Sequence, residues 1–232
     1  MPGPRSTPEN LEVLFEDNHL IVVNKKAGDL AQGDKTGDAP LSEVVKAYLK
    51  VKYDKPGAVF LGVVHRLDRP TTGALIFART SKALSRLNAM FAGTEVQKTY
   101  WAVTQNPPPQ AQGRLEHWLS RNSKQNKSYA MPGPGPDRKR AALSYRYLKK
   151  LQRYHLLEIR LETGRHHQIR AQLAAIGCPI KGDLKYGAAR SNPDGSIHLH
   201  ARHLEFVHPV RKTPVQLTAP LPPDPVWDAC LD

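Results

Sequence analysis

The segment YHLLEIRLE, residues 154–162, sets Leu157, Ile159 and Leu161 on one side of an extended chain and Glu158 and Arg160 on the other. That period of two is the side-chain period of a strand with one wet face, and no helix keeps such a pattern on one face. LSYRYLK, residues 143–149, carries the same period just upstream. Together they predict an antiparallel pair turning near Gln152 and Arg153. TYWAVT, residues 99–104, alternates as well, which puts Trp101 and Val103 on one face with Trp101 as the core anchor. Tyr100 is then left to face whatever lies opposite the core.

Other segments fill in around these strands. LEVLFEDNHLIVVNKKAG offers two apolar runs about the turn-like Glu16, Asp17 and Asn18, a hairpin that ends in a basic loop at Lys25 and Lys26. In LSEVVKAYLKVKY, residues Leu41, Val44, Val45, Tyr48 and Leu49 form one helical stripe. ALIFA, residues 74–78, is a continuous apolar run suited to a buried strand, and Thr80 or Ser81 can cap a helix through Phe91 that stops at Gly93. TGRHHQIRAQLAAIG reads as a turn entering a helix whose Ile169, Leu173 and Ile176 face the core, with Gly177 as a left-handed cap.

Three stretches look irregular. Residues 1–11 are polar and Pro-rich, a disordered lead-in. Residues 105–140 show a short strand at 114–119 and otherwise a loop, either functional or merely solvated, whose Arg121, Lys124, Lys127, Arg138, Lys139 and Arg140 suit a grip on a nucleic-acid backbone. The tail has a strand near HLEFV and then a Pro-rich extended end over 221–232. No repeat and no sharp boundary divides residues 12–220, which read as a single domain.

Composition narrows the function. Thirty-four Lys and Arg against 21 Asp and Glu leave a formal net charge of +13. Such an excess favours a polyanionic partner, nucleic acid before membrane, because no amphipathic basic helix or long apolar span accompanies it. Cys178 and Cys230 are the only cysteines, too few for a disulfide framework or zinc ribbon. With no signal-peptide core at the N-terminus, a reduced, cytoplasmic setting is expected. GDLAQGDKT, residues 28–36, nearly spells a phosphate loop, but Asp34 interrupts it and no helix follows directly. His198, His200, His203 and His208 invite a metal reading, yet carboxylates are sparse nearby and strand alternation sends His203 away from His198 and His200.

Two residues stand out chemically. Arg170 falls in the opening turns of its helix, where unpaired amide groups already favour anions, and Arg165 and His167 add to that field. The cluster calls for a phosphate or a carboxylate from elsewhere in the chain. Asp68, in the polar HRLDRP loop between apolar runs, is the most suggestive internal candidate. Paired with Arg170 it would stay ionised and could act as a nucleophile, whereas alone it reads more readily as a turn residue held through Thr71 or Thr72.

These same residues carry a family resemblance. HRLDRPTTG resembles the HRLDxxTSG signature of the RluA-type pseudouridine synthases, and LETGRHHQIRAQL resembles their LxTGRxHQLRxHL segment. DNHLIVVNKKAG, QKTYWAV, PIKGDLKYG and LHARHLEFVHP are similar to further motifs of that family, in the same order, so the likeness runs from about residue 12 to 220. It implies an α+β fold, a mixed, largely antiparallel sheet with a central cleft flanked by helices and loops. It also implies an isomerase that converts a uridine of ribosomal or transfer RNA to pseudouridine without metal or redox cofactor. By the motifs, the catalytic aspartate falls on Asp68, the tyrosine of KxY on Tyr100 and the arginine that holds the aspartate on Arg170. Arg66 would steady the flipped nucleotide, with Arg165 and His167 as further substrate contacts and Arg69 a solvated neighbour. A monomer is expected, without the N-terminal S4 domain of some relatives. Whether Asp68 attacks C1′ or helps remove a proton from C2′ stays open. NKKAG lacks the usual proline, TTG replaces TSG, and Gln172 stands where many relatives have histidine. The rival reading is an RNA-binding or assembly protein that performs no chemistry; it would have no need of an acid facing phosphate.

Overall fold

The computed structural model describes residues 5–33 and 37–231. In chain order the elements are β1 (Val13–Glu16), β2 (Leu20–Lys25), α1 (Leu41–Lys52), β3 (Gly62–Val63), β4 (Thr72–Ala78), α2 (Ser81–Ala92) and β5 (Gln97–Thr104). They continue with β6 (Gln112–Asn122), β7 (Lys127–Met131), β8 (Arg138–Lys150), β9 (His155–Leu161), α3 (Gln168–Ala175), β10 (Leu199–Val207), β11 (Pro214–Thr218) and α4 (Pro225–Leu231). The class is α+β, and the registered strand pairs are antiparallel. Where the sequence shows no boundary, the chain packs as two compact units, residues 1–98 with 201–222 and residues 99–200 with 223–232.

In the first unit β1, β2, β4 and β10 lie side by side, with β3 on β4 and β11 on β10. Leu20 and Val22 of β2, Ala74 and Ile76 of β4 and Leu204 and Phe206 of β10 bury against Ala83, Leu87 and Met90 of α2. The predicted cap on α2 forms, Thr80 accepting from the Ala83 amide. Gly73 has φ +112°, and a Cβ there would lie 2.4 Å from the Ala201 carbonyl, so only glycine lets β4 start beside β10.

Two expectations fail in this unit. Residues 5–11 are not a disordered lead-in: the Ser6 amide and hydroxyl bind the two oxygens of Asp29 at 3.0 and 2.6 Å, and Lys26 Nζ reaches the Asn10 side chain at 3.0 Å. Polar composition misleads because Ser6 satisfies a buried acid and Asn10 accepts from Lys26 instead of solvating a tail. Lys25 likewise belongs to no exposed basic loop; it ends β2 with 1% of its surface exposed. Asp34, Lys35 and Thr36, on which the phosphate-loop question turned, lie outside the described residues.

In the second unit the order is β5-β9-β8-β6-β7. The β8–β9 pair forms as the alternation requires, Tyr145 opposite Ile159 and Leu143 opposite Leu161. The stretch 105–140 is not one long loop, for β6 pairs with both β7 and β8 over most of it. Its Arg, Lys, Ser and Asn residues hide the strands because side chains on the open face of a ribbon need not be apolar. Arg121, Lys127, Arg138, Lys139 and Arg140 therefore sit on strands, and Lys124 sits in the β6–β7 turn. The Pro-rich end holds α4, whose Trp227 stacks on His198 with ring centroids 5.0 Å apart.

On β5 the expected order of burial is reversed. Tyr100 is buried at 6% exposure while Trp101 keeps partial exposure. Size alone is a poor guide to the covered face of a strand that is packed on both sides.

Candidate active site

The Asp68 loop is built by the backbone. Residues 68–71 close a turn in which the Thr71 amide donates to the Asp68 carbonyl at 2.9 Å, so the turn bond runs through the main chain of Asp68. The Gly28 amide donates to the Arg69 carbonyl at 2.9 Å from the loop after β2. Beneath it lies Lys25, whose ammonium donates to the carbonyls of Lys26, Arg69 and Thr71 at 3.0, 3.1 and 2.8 Å. Burial pushes this ammonium from its ordinary 10.5 to about 7, while the carboxylates of Asp29 and Asp68 pull the other way. A cation sunk beneath an acid-bearing turn thus fixes the loop's path and adds positive potential behind Asp68.

The remaining residues of HRLDRPTTG divide by task. His65 stacks on Phe91 at 4.5 Å and accepts the Ile76 amide on Nε2 at 3.1 Å, tying the loop to β4. Burial, with Lys98 acting in the same direction, pushes its pKa down to about 3. Between that value and the ordinary 6.5 the unfolded chain binds a proton that the folded chain refuses, so stability falls as pH drops through this window. Urea unfolding of wild type and His65→Gln at pH 5 and 7.5 should show the smaller pH difference in the variant. Arg66 is exposed, as a nucleotide contact requires. Arg69 is more than a solvated neighbour: it pairs with Asp38 at 2.7 Å, and Arg5 holds the same carboxylate at 3.0 Å.

Arg170, in the second unit, pairs with an acid that the sequence did not single out, Asp183. Its Nε and Nη2 donate to the two oxygens of Asp183 at 2.7 and 2.8 Å, a buried two-point pair. The guanidinium lies over the Tyr186 ring, 5.0 Å from its centroid. The Tyr186 hydroxyl accepts the Ser128 amide at 2.8 Å and bonds His167 Nδ1 at 3.0 Å. His167 starts α3 with φ +53°, and desolvation, reinforced by Arg170, holds its pKa far below the ordinary range, at about 2. Its neutral form acts as a hydrogen-bonding group within this cluster. Arg165 points its Nε at the Arg140 carbonyl at 3.1 Å, fixing the segment before α3. Gln172 is fully buried and donates to the Leu115 and Ala141 carbonyls at 3.2 Å each, so at this position the side chain fastens α3 to the sheet.

The histidines of the tail scatter. His198 bonds Asn192 and Asp224, His203 bonds Thr218, and His208 meets Asp17. Among the described residues no group of three or more His, Cys, Asp or Glu could hold a metal ion. No described helix is long and apolar enough to cross a membrane.

Sequence reasoning missed Lys25 as the loop's support and Asp183 and Tyr186 as the setting of Arg170. A signal for the last two was present: PIKGDLKYG was matched as a motif but given no task.

This α+β architecture has a solved counterpart in a human protein, RNA Pseudouridylate Synthase Domain Containing 4, with a TM-score of 0.77, 24% identity and coverage of 95% of this chain and 91% of that one. Residues 19–175 match the family model described as RNA pseudouridylate synthase. Ribosomal large subunit pseudouridine synthase D of Zymomonas mobilis is 35% identical over 95% of this chain and 72% of its own length. The protein of the same description from Xanthomonas campestris is 34% identical over 96% and 69%. The chain belongs to the RNA pseudouridylate synthase family and is an isomerase of uridine in RNA. The reading of a binder without chemistry loses its support.

Proposed function

We propose that the chain modifies large-subunit ribosomal RNA in the cytoplasm, with Asp68 as the acting carboxylate. The substrate class rests on its relatives, two of which are named for the large ribosomal subunit. The observation that supports the residue assignment is the pinned turn at Asp68, whose path Lys25 and Gly28 fix through the main-chain carbonyls of residues 69 and 71.

In this reading the target uridine leaves its stack, at a cost of a few kcal/mol that contacts to the backbone offset. Asp68 acts on the ribose, at C1′ or on the C2′ proton, while the N1–C1′ bond breaks. The base turns and C5 bonds C1′; C5 then gives up its proton and N1 gains one, so no atom is lost overall. Arg170 serves the reaction as a cation, Tyr100 stacks on the base and assists the C5 proton removal, and Arg66 steadies the flipped nucleotide. Arg165, beside the start of α3, and His167 are the further substrate contacts in this reading.

Pseudouridine mapping of all stable RNA in cells lacking the gene tests the substrate. Loss of one or a few sites in large-subunit ribosomal RNA is expected. Loss confined to transfer RNA would overturn the ribosomal assignment.

A further inference from the structure

We infer that Asp183 is a positioning residue for the reaction, acting through Arg170. This rests on the role of Arg170 proposed above and adds the group that sets its orientation. Both members of the pair are nearly inaccessible, at 5% and 1% side-chain exposure. Desolvating two charges makes such a pair a weak source of stability, and apolar residues of similar size would serve a core as well or better. What the pair does supply is direction. A guanidinium donates from two edges in a fixed fork, and occupying the Nε/Nη2 edge dictates where the other edge points.

Asp183 is itself held rigidly. Its carbonyl accepts the amides of Tyr186 and Ala188 at 3.0 Å each, and its own amide donates to Ile180 at 3.0 Å. Gly182 before it has φ +89°, and a Cβ there would sit 2.8 Å from the Ser196 carbonyl, so the turn admits no ordinary side chain. The Tyr186 ring closes one face of the guanidinium, and its hydroxyl is fixed in turn by Ser128 and His167. The motif PIKGDLKYG is thereby a mould: glycine shapes the turn, the acid clamps one edge of Arg170 and the tyrosine supports its plane.

The test uses purified full-length wild type, Asp183→Asn, Asp183→Glu, Arg170→Lys and the double variant Asp183→Asn/Arg170→Lys. Each is given total RNA from cells lacking the gene, under single-turnover conditions with enzyme in excess. Asp183→Asn should lower the maximal rate roughly 10- to 100-fold, the effect of a misplaced catalytic group, while the enzyme concentration for half-maximal rate changes less than about threefold. The double variant should be no slower than Arg170→Lys alone, because both act on one group. Asp183→Glu keeps the charge and should keep the melting temperature, yet still lose rate, and it carries the test if Asp183→Asn fails to fold. A wild-type rate in folded Asp183→Glu, or rate losses that multiply in the double variant, would overturn the inference while leaving the role of Arg170 standing. A wild-type rate in Arg170→Lys would overturn that role and this inference with it.

Discussion

Asp68→Asn should abolish turnover, lowering the single-turnover rate by roughly four orders of magnitude or more, as removal of a reacting group typically does, with RNA affinity held within a few-fold. The two readouts differ because the substitution removes an anion from a basic site. If the carboxylate served only to shape the turn, the amide would replace it at little cost, since the turn bond comes from the Asp68 carbonyl and the Thr71 amide. RNA binding should be unchanged or slightly tighter, for one acid fewer then faces phosphate. Rapid-quench measurement of pseudouridine formed, beside filter binding of the same RNA, separates chemistry from association. A variant that turns over within tenfold of wild type would remove Asp68 from the reaction.

Lys25→Met should be the most damaging substitution away from the reacting groups, costing about 3–4 kcal/mol of folding stability by the usual worth of hydrogen bonds to a charged donor, less the desolvation it relieves. The side chain is of similar length, so little cavity opens. What is lost is the donor shared by the carbonyls of Lys26, Arg69 and Thr71. A pH signature accompanies the loss. The ammonium is depressed from 10.5 to about 7, so between those values the unfolded chain binds more protons than the folded one. Wild-type stability therefore rises with pH across that window, and the rise should be missing in Lys25→Met. Urea titrations at pH 6.5, 8 and 9.5 on both proteins measure cost and slope together. A variant as stable as wild type with the same pH slope would show that Lys25 does not hold the loop.

Much of the fold is legible wherever one face of an element is apolar and the other wet. The β8–β9 pair, the cap at Thr80 and the start of α1 at Leu41 can each be read from the residues themselves. What escapes is of another kind. The β6–β7 ribbon has few apolar residues to betray its period, and Ser6 is buried by a hydrogen bond that no local pattern encodes. Lys25 illustrates the same limit at the site: two consecutive lysines read as a solvated loop, and only the carbonyls converging from residues 69 and 71 explain why the first is buried. Asp68, Arg170 and Tyr100 could be named from motifs because chemistry restricts residue type. Asp183 lies in the PIKGDLKYG motif too, but its pairing with Arg170 has no local signal, because an acid thirteen residues beyond an arginine has no recognisable spacing.

The central claim is that this chain isomerises uridine in RNA through Asp68, and the loss of hydrogen from C5 reports that chemistry directly. RNA from cells lacking the gene, labelled with tritium at uridine C5, should release label into water with wild-type protein, one label for each pseudouridine found by mapping, and none above background with Asp68→Asn. Release by Asp68→Asn at the wild-type rate, or no release by wild type from RNA that it binds, would contradict the account.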